Sequence, residues 1–272
     1  MEGGSVMLTG TLPERVTELV VLWQQPTTRA MIPVGLLGYD GVKYRFEYLQ
    51  AASSAEGFRP LLGFKDLSAH YESDELFPLF HERIMDPSRD DFDHVLEGLQ
   101  LDPRTATPWE QLVFSGGGSE GDTLQVTPLP CEEEDGWSCT ALASGLRYLQ
   151  IKSVRTVLGE SPIYTEDEFE SILSALSPGD SLVVRREIGN DYNPDALLLF
   201  TVDKKLIGYL PDWLARFVAP GLPEGDGWEI ARVARVNSPD VGWHLRLVVT
   251  LRGADAFDDA VERLRSGDAL AY

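Results

Sequence analysis

No stretch of this sequence stays apolar for the length that a membrane crossing needs, because Asp, Glu or Arg interrupts every long hydrophobic run. That excludes a helical membrane protein and takes membranes out of the expected partners. Cysteine is nearly absent. The only two, Cys131 and Cys139, have no second pair to complete a zinc site, so reduced thiols and no metal or other cofactor are expected. Histidine is as sparse, with four in the chain. His81-Glu82 opens like a zinc-protease motif, but Met85 stands where the second His is required, and His70 and His94 lie at no ligand spacing. There is no Gly-x-Ser-x-Gly elbow, and neither cysteine has a His close in sequence, so no nucleophile is marked out and no enzyme is expected. The glycine cluster at 115–122 lacks the Gly-Lys-Ser/Thr ending of a phosphate loop and reads as flexible. The opening Met-Glu-Gly-Gly-Ser lacks the basic end and apolar stretch of a signal peptide, so a cytoplasmic location is expected.

Positive charge is the other scarcity. The chain carries 23 Lys+Arg against 44 Asp+Glu, a formal charge of −21. Nucleic-acid binders draw most of their affinity from neutralising phosphates with basic surfaces. The deficit is uneven: residues 1–136 hold 9 basic and 24 acidic side chains, residues 137–272 hold 14 and 20. Any phosphate-facing patch therefore belongs to the C-terminal half and must be local. The acidic first half suits a basic protein surface.

What is present supports packed cores: 272 residues, 43% of them hydrophobic, give room for two domains. Two prolines, four consecutive acids and a glycine at 128–136 read as a boundary. The expected division is a first domain at 1–130, an acidic linker at 131–136 and a second domain at 137–272. In the first, apolar strands are expected at 18–24, 30–37 and 43–49, the last two joined by an Asp40-Gly41 hairpin turn. Tyr44, Phe46 and Tyr48 share one strand face. Ser73 and Ser88 are expected to cap helices over 76–84 and 92–99, with Asp90, Asp91 and Asp93 favoured by the dipole of the second. In the second domain a strand is expected over 146–157, followed by a helix capped by Thr165 and Glu168. Strands follow at 182–186, 196–202, 206–210, 230–237 and 243–252. A short helix beginning at Pro211 and a last one over 254–265 accompany them. The fold class is α+β in two domains: a small antiparallel sheet with helices, then a small β-barrel with one or two helices.

The chemistry gathers between two apolar runs, where Asn190, Asp191, Tyr192, Asn193 and Asp195 cluster. Such residues are first of all turn formers, since their side chains bond their own backbone. Here Arg185 and Arg186 stand just before them, and Tyr209 ends a following strand after Gly208. Arginine offers forked donors for phosphate, Asn can bond sugar or base edges, and a tyrosine face stacks on a base for about 1–3 kcal/mol. Strand alternation turns Arg185 and Arg186 to opposite faces, so one of them meets a ligand. Asp195, Asp203 and Lys205 imitate a metal-dependent nuclease centre. However, Asp203-Lys-Lys reads as a turn, and a strand of about 26 Å separates the two acids.

Taken in order, Pro-Gly-Asp at 178–180, the run 182–187, Asn190-Asp-Tyr192, Asp195-Ala196 and Ile-Gly-Tyr-Leu-Pro at 207–211 resemble the HIRAN domain, over roughly residues 146–252. That family appears in eukaryotic helicase-like remodellers and as bacterial stand-alone modules. The resemblance implies an OB-like barrel whose best-understood members hold the 3′ end of single-stranded DNA. It places Asn190 and Tyr192 on the end-binding pocket and Tyr209 on its wall. Three positions depart from the family pattern, with Asp191 in place of a frequent proline adding negative charge as Asp212 does. Asn193 stands where the family commonly has an Asp that accepts from the terminal hydroxyl, and Asp212 stands near a position where DNA-binding members have Lys. More weakly, residues 18–130 resemble the small N-terminal subdomain of HipA-type proteins, through Val34-Gly-Leu, Tyr44 to Tyr48 and Leu76-Phe-Pro-Leu-Phe80. No kinase signature accompanies them.

The sequence thus points to a non-enzymatic adaptor. Its barrel would bind single-stranded DNA or DNA ends through Arg185, Arg186, Asn190, Tyr192, Asn193 and Tyr209, and its acidic first half would bind a protein partner. The alternatives are a protein-interaction or antitoxin-like regulator without DNA, and a weak metal-dependent nuclease.

Overall fold

The computed structural model describes residues 16–118, 122–190, 193–254 and 257–266. The first half contributes strands β1 (Glu18–Gln24), β2 (Met31–Tyr39) and β3 (Tyr44–Tyr48), helix α1 (Gln50–Ser54) and strand β4 (Tyr71–Ser73). Helices α2 (Pro78–His81), α3 (Phe92–Gly98) and α4 (Pro108–Ser115) precede strand β5 (Leu124–Pro128). The strands form one antiparallel sheet in the order β4-β3-β2-β1-β5. The sequence β1, Glu-Leu-Val-Val-Leu-Trp-Gln, does not alternate, because both of its faces are covered. Leu19, Val21 and Trp23 pack with Phe46, Phe64, Phe80 and Leu112, while Val20 and Leu22 turn to the core of the second half.

Two helix starts differ from expectation. Ser73 ends β4 and accepts from the backbone of Glu75, and the helix that follows is a single turn beginning at Pro78. Proline suits that first helical position, so α2 starts there. Asp91, not Ser88, stands at the N-cap of α3, and its carboxylate is drawn back to Arg89 at 2.8 Å. Helix α4 has the reciprocal capping box that α1, α2 and α3 lack, between Thr107 and Glu110.

The second half contains β6 (Cys131–Glu133), β7 (Gly136–Leu142), the short pair β8 (Arg155–Thr156) and β9 (Gly159–Glu160), and α5 (Glu166–Ser174). There follow β10 (Ser181–Arg186), β11 (Leu197–Thr201), β12 (Leu206–Tyr209), α6 (Asp212–Val218), β13 (Trp228–Val236), β14 (Leu247–Gly253) and α7 (Phe257–Ser266). Seven strands form an antiparallel sheet in the order β12-β11-β10-β13-β14-β7-β6. Just past β7, Ser144 pairs with Tyr209 at the end of β12, each backbone N–H donating to the other's carbonyl at 2.9 Å. That exchange joins the two ends of the sheet and closes an OB-like barrel, leaving β6 outside the closure.

Residues 131–136, expected as an extended linker, are instead β6 and its turn into β7: Cys131 pairs with Ser138 and Glu133 with Gly136. The four acids are tolerated because β6 is an edge strand whose Glu132 and Glu133 are exposed. Of the strand expected at 146–157 only the two residues of β8 are extended. Gly145 takes a left-handed φ of +71° and ends the extended run. The chain then makes a 3-10 turn over Tyr148–Gln150 before the β8–β9 hairpin. Likewise, 243–252 is strand only from Leu247. Arg246, 2% exposed, turns instead to pair with Glu170 at 2.5 Å. No helix among the described residues is long and apolar enough to cross a membrane.

Candidate nucleic-acid interface

The loop from β10 to β11 is organised by its own amides. Asn190 Nδ2 donates to Glu187 Oε2 at 2.6 Å, and its Oδ1 accepts from the backbone of Asn193 at 2.9 Å. Asn193 Oδ1 in turn accepts from the backbone of Asp195 at 2.8 Å, the side-chain-closed turn expected of these residue types. The backbone of Ile188 donates to the carbonyl of Arg155 at 3.0 Å, so the β8–β9 hairpin lies against this loop. Asp191 and Tyr192 lie outside the described residues.

Glu187 is the hub of the arrangement. Its carboxylate also faces Tyr209, and burial together with this charge pushes the Tyr209 phenol well above the usual tyrosine range. The Tyr209 ring lies over Gly145, where an added Cβ would come within 2.6 Å of it. The Tyr148 ring meets Tyr209 edge to face at 6.3 Å and is 36% exposed, with Lys152 Nζ 5.6 Å from its centroid.

The two arginines are largely spoken for. Arg185 Nη1 pairs with Asp226 at 2.5 Å, and the other carboxylate oxygen of Asp226 accepts from the backbone of Arg186 at 3.0 Å. Arg186 lies over the Trp228 ring at 5.4 Å and forms no salt bridge among the described residues, so it is the arginine of the pair that remains available. Asn193, expected to face a ligand, is 8% exposed and donates its side-chain amide to Asp212 Oδ1 at 2.5 Å. Its polar atoms are satisfied within the fold, which makes it a staple of the loop. Asn190, Glu187 and Tyr209 are brought together; Arg185 and Asn193 are turned inward.

The stretch at 144–159, most of which falls in the strand expected over 146–157, was not marked as part of the site. It supplies Arg147, Tyr148, Lys152 and Arg155, all exposed, and contains no acidic residue. In a chain of this charge, that local balance is the signal that could have marked it. The Asp203 carboxylate is held by Thr201 at 2.5 Å and Lys205 at 3.1 Å, as a turn residue. Among the described residues no three His, Cys, Asp or Glu side chains stand where they could hold a metal ion, and Cys131 and Cys139 are free thiols.

No curated protein matches this chain. Strand β7, which the barrel needs for its closure, precedes the segment that a family model recognises. From the closing residue Ser144 to β14, at residues 144–251, the chain matches the family model of the HIRAN domain.

Proposed function

We propose that this chain is a non-enzymatic adaptor whose barrel holds single-stranded DNA, with a preference for a free 3′ end. The carrying observation is the pairing of the Tyr148 and Tyr209 rings at 6.3 Å beside a basic, acid-free stretch. A terminal base stacks on the exposed Tyr148 face, while Arg147, Lys152 and Arg155 take the backbone phosphates. With Asn193 in place of the family's Asp, the Glu187 carboxylate serves as the acceptor for the terminal hydroxyl. The acidic first half, with its 9 basic and 24 acidic residues up to position 136, docks a basic protein surface.

Fluorescence anisotropy of the full chain with a 5′-labelled oligonucleotide tests this reading. Binding is expected at low salt, weaker when the 3′ hydroxyl is blocked. Three phosphate contacts give a slope of log K against log salt of about −2. If no oligonucleotide binds even at low salt, the DNA reading fails. The acidic surface then favours the second reading, a protein-interaction or antitoxin-like regulator.

A further inference from the structure

Where the two sheets meet, a cavity of about 200 Å³ opens between β5, β7, the end of α4 and the start of α6. Arg235 of β13 lines it and is 6% exposed. Its guanidinium lies 4.1 Å from the Phe114 ring centroid, and its Nε has no hydrogen-bond partner. No carboxylate pairs with it among the described residues, and burial alone pulls its pKa down to about 10. Trp213 also lines the cavity, fully buried, with an indole N–H that meets no acceptor.

A buried cation without a counter-charge is among the most unfavourable arrangements in a protein interior. The Phe114 face compensates only part of it. The remaining lining is neutral or a donor: Ser115, Thr127, Ser144 and His244 are there, and no Asp or Glu is among the described residues that line it. The lack of an acid among the described residues around a buried arginine without a charged partner leaves room for an anion supplied from outside. The space equals that of about seven waters at roughly 30 Å³ each, enough for a phosphate group. It falls below the ~300 Å³ at which pockets for larger ligands begin.

We propose that this cavity binds a phosphate group, with Arg235 as its counter-charge. The inference does not rest on DNA binding by the barrel. The phosphate comes either from the free inorganic ion or from a small phosphomonoester whose remainder projects into solvent.

Calorimetric titration and thermal melting of the full chain test this, with inorganic phosphate, dAMP and acetate as probes. Saturable binding of one phosphate per chain is expected, with a Tm that rises with phosphate concentration and no response to acetate. Comparable binding of dAMP identifies the phosphomonoester as the source; binding of phosphate alone identifies the free ion. Arg235→Met should abolish the binding while raising the Tm in phosphate-free buffer, because it removes an uncompensated charge and keeps the contact with Phe114. Arg235→Lys should weaken binding at least tenfold, and it decides the matter should the Met variant not fold. Absence of saturable phosphate binding to the wild type overturns the proposal, the cavity then holding solvent only. So does an equal response in wild type and Arg235→Met. Anisotropy with DNA, unchanged in the Arg235 variants, separates this outcome from the fate of the barrel reading.

Discussion

Asn193 and Asp212 are bonded to each other, the amide Nδ2 of one donating to the carboxylate Oδ1 of the other at 2.5 Å. The second oxygen of Asp212 accepts from the backbone of Met31 at 3.3 Å and faces Arg216 at 3.5 Å. One carboxylate therefore ties the β10–β11 loop, the first turn of α6 and the N-terminal sheet together. Each residue, taken alone, departs from the family pattern in charge. In the fold they are one interaction: with an aspartate at 212, position 193 must donate, which Asn does and Asp cannot. The charge of Asp212 is engaged within the protein rather than set out against an approaching phosphate.

Asn193→Asp should cost about 2–4 kcal/mol of unfolding free energy at neutral pH, because it sets two carboxylates against each other in a partly buried site. Asp212→Asn alone should cost about 1–2 kcal/mol, since it removes the charge from the bond. The double variant exchanges donor and acceptor and should return to within about 1 kcal/mol of the wild type. Urea denaturation of the four proteins measures this cycle, and simple additivity would show the pair to be uncoupled.

Gly145 joins the barrel closure to the candidate interface. Its φ of +71° disfavours any L side chain, and a Cβ there would meet the Tyr209 ring at 2.6 Å. Gly145→Ala should destabilise the protein by about 2–4 kcal/mol through backbone strain and the displaced ring. If the ring yields, DNA binding falls as well, even though residue 145 offers no side chain to a ligand. A loss of stability below about 0.5 kcal/mol in urea melts would contradict the packing described.

Much of this architecture was legible because it rests on local patterns. The β1 run, the Asp40-Gly41 hairpin, the Thr165–Glu168 capping box and the barrel strands at Ser181–Arg186, Leu197–Thr201 and Leu206–Tyr209 follow from apolar runs and turn chemistry. The bridge between Ser144 and Tyr209 was not, since it is a backbone pairing that no side chain announces. Nor was β6, whose acids resemble a solvated linker because an edge strand is solvated too. Tyr148 was lost in an expected strand that Gly145 breaks off. Arg185 and Asn193 stand out in the sequence by type and place, but the choice between ligand and internal partner depends on Asp226 and Asp212, distant in sequence.

The raised pKa of Tyr209 has a consequence at alkaline pH. Below the ordinary value of about 10 the phenol is neutral in both folded and unfolded chains. Above it the unfolded chain releases the proton first, so stability falls as pH rises toward the folded-state value. Tyr209→Phe should cost about 1–2 kcal/mol at pH 8 by removing the polar hydroxyl that faces the Glu187 carboxylate. The gap from the wild type should narrow by pH 11, because the variant has no phenol there to ionise. Tyr44, Tyr48 and Tyr164 are raised in the same direction by burial, so the comparison must be made between the two proteins. A gap that stays constant from pH 8 to pH 11 would mean that Tyr209 titrates normally.

Tyr148 and Arg185 should separate binding from stability, in opposite directions. The Tyr148 ring is at the surface, and in the DNA reading a base stacks on it. Tyr148→Ala should weaken oligonucleotide binding by about 1–3 kcal/mol while shifting the urea midpoint little. Arg185 is held by Asp226 at 2.5 Å with its side chain 18% exposed. Arg185→Ala leaves that carboxylate short of its charged partner and should lower stability by about 1–3 kcal/mol. DNA affinity should change by less than about 1 kcal/mol, because the guanidinium is already engaged. Anisotropy and denaturation on both variants give the answer. If Arg185→Ala loses DNA binding while Tyr148→Ala keeps it, the interface lies on the Arg185 side of the barrel, and the 144–159 stretch is surface without a ligand.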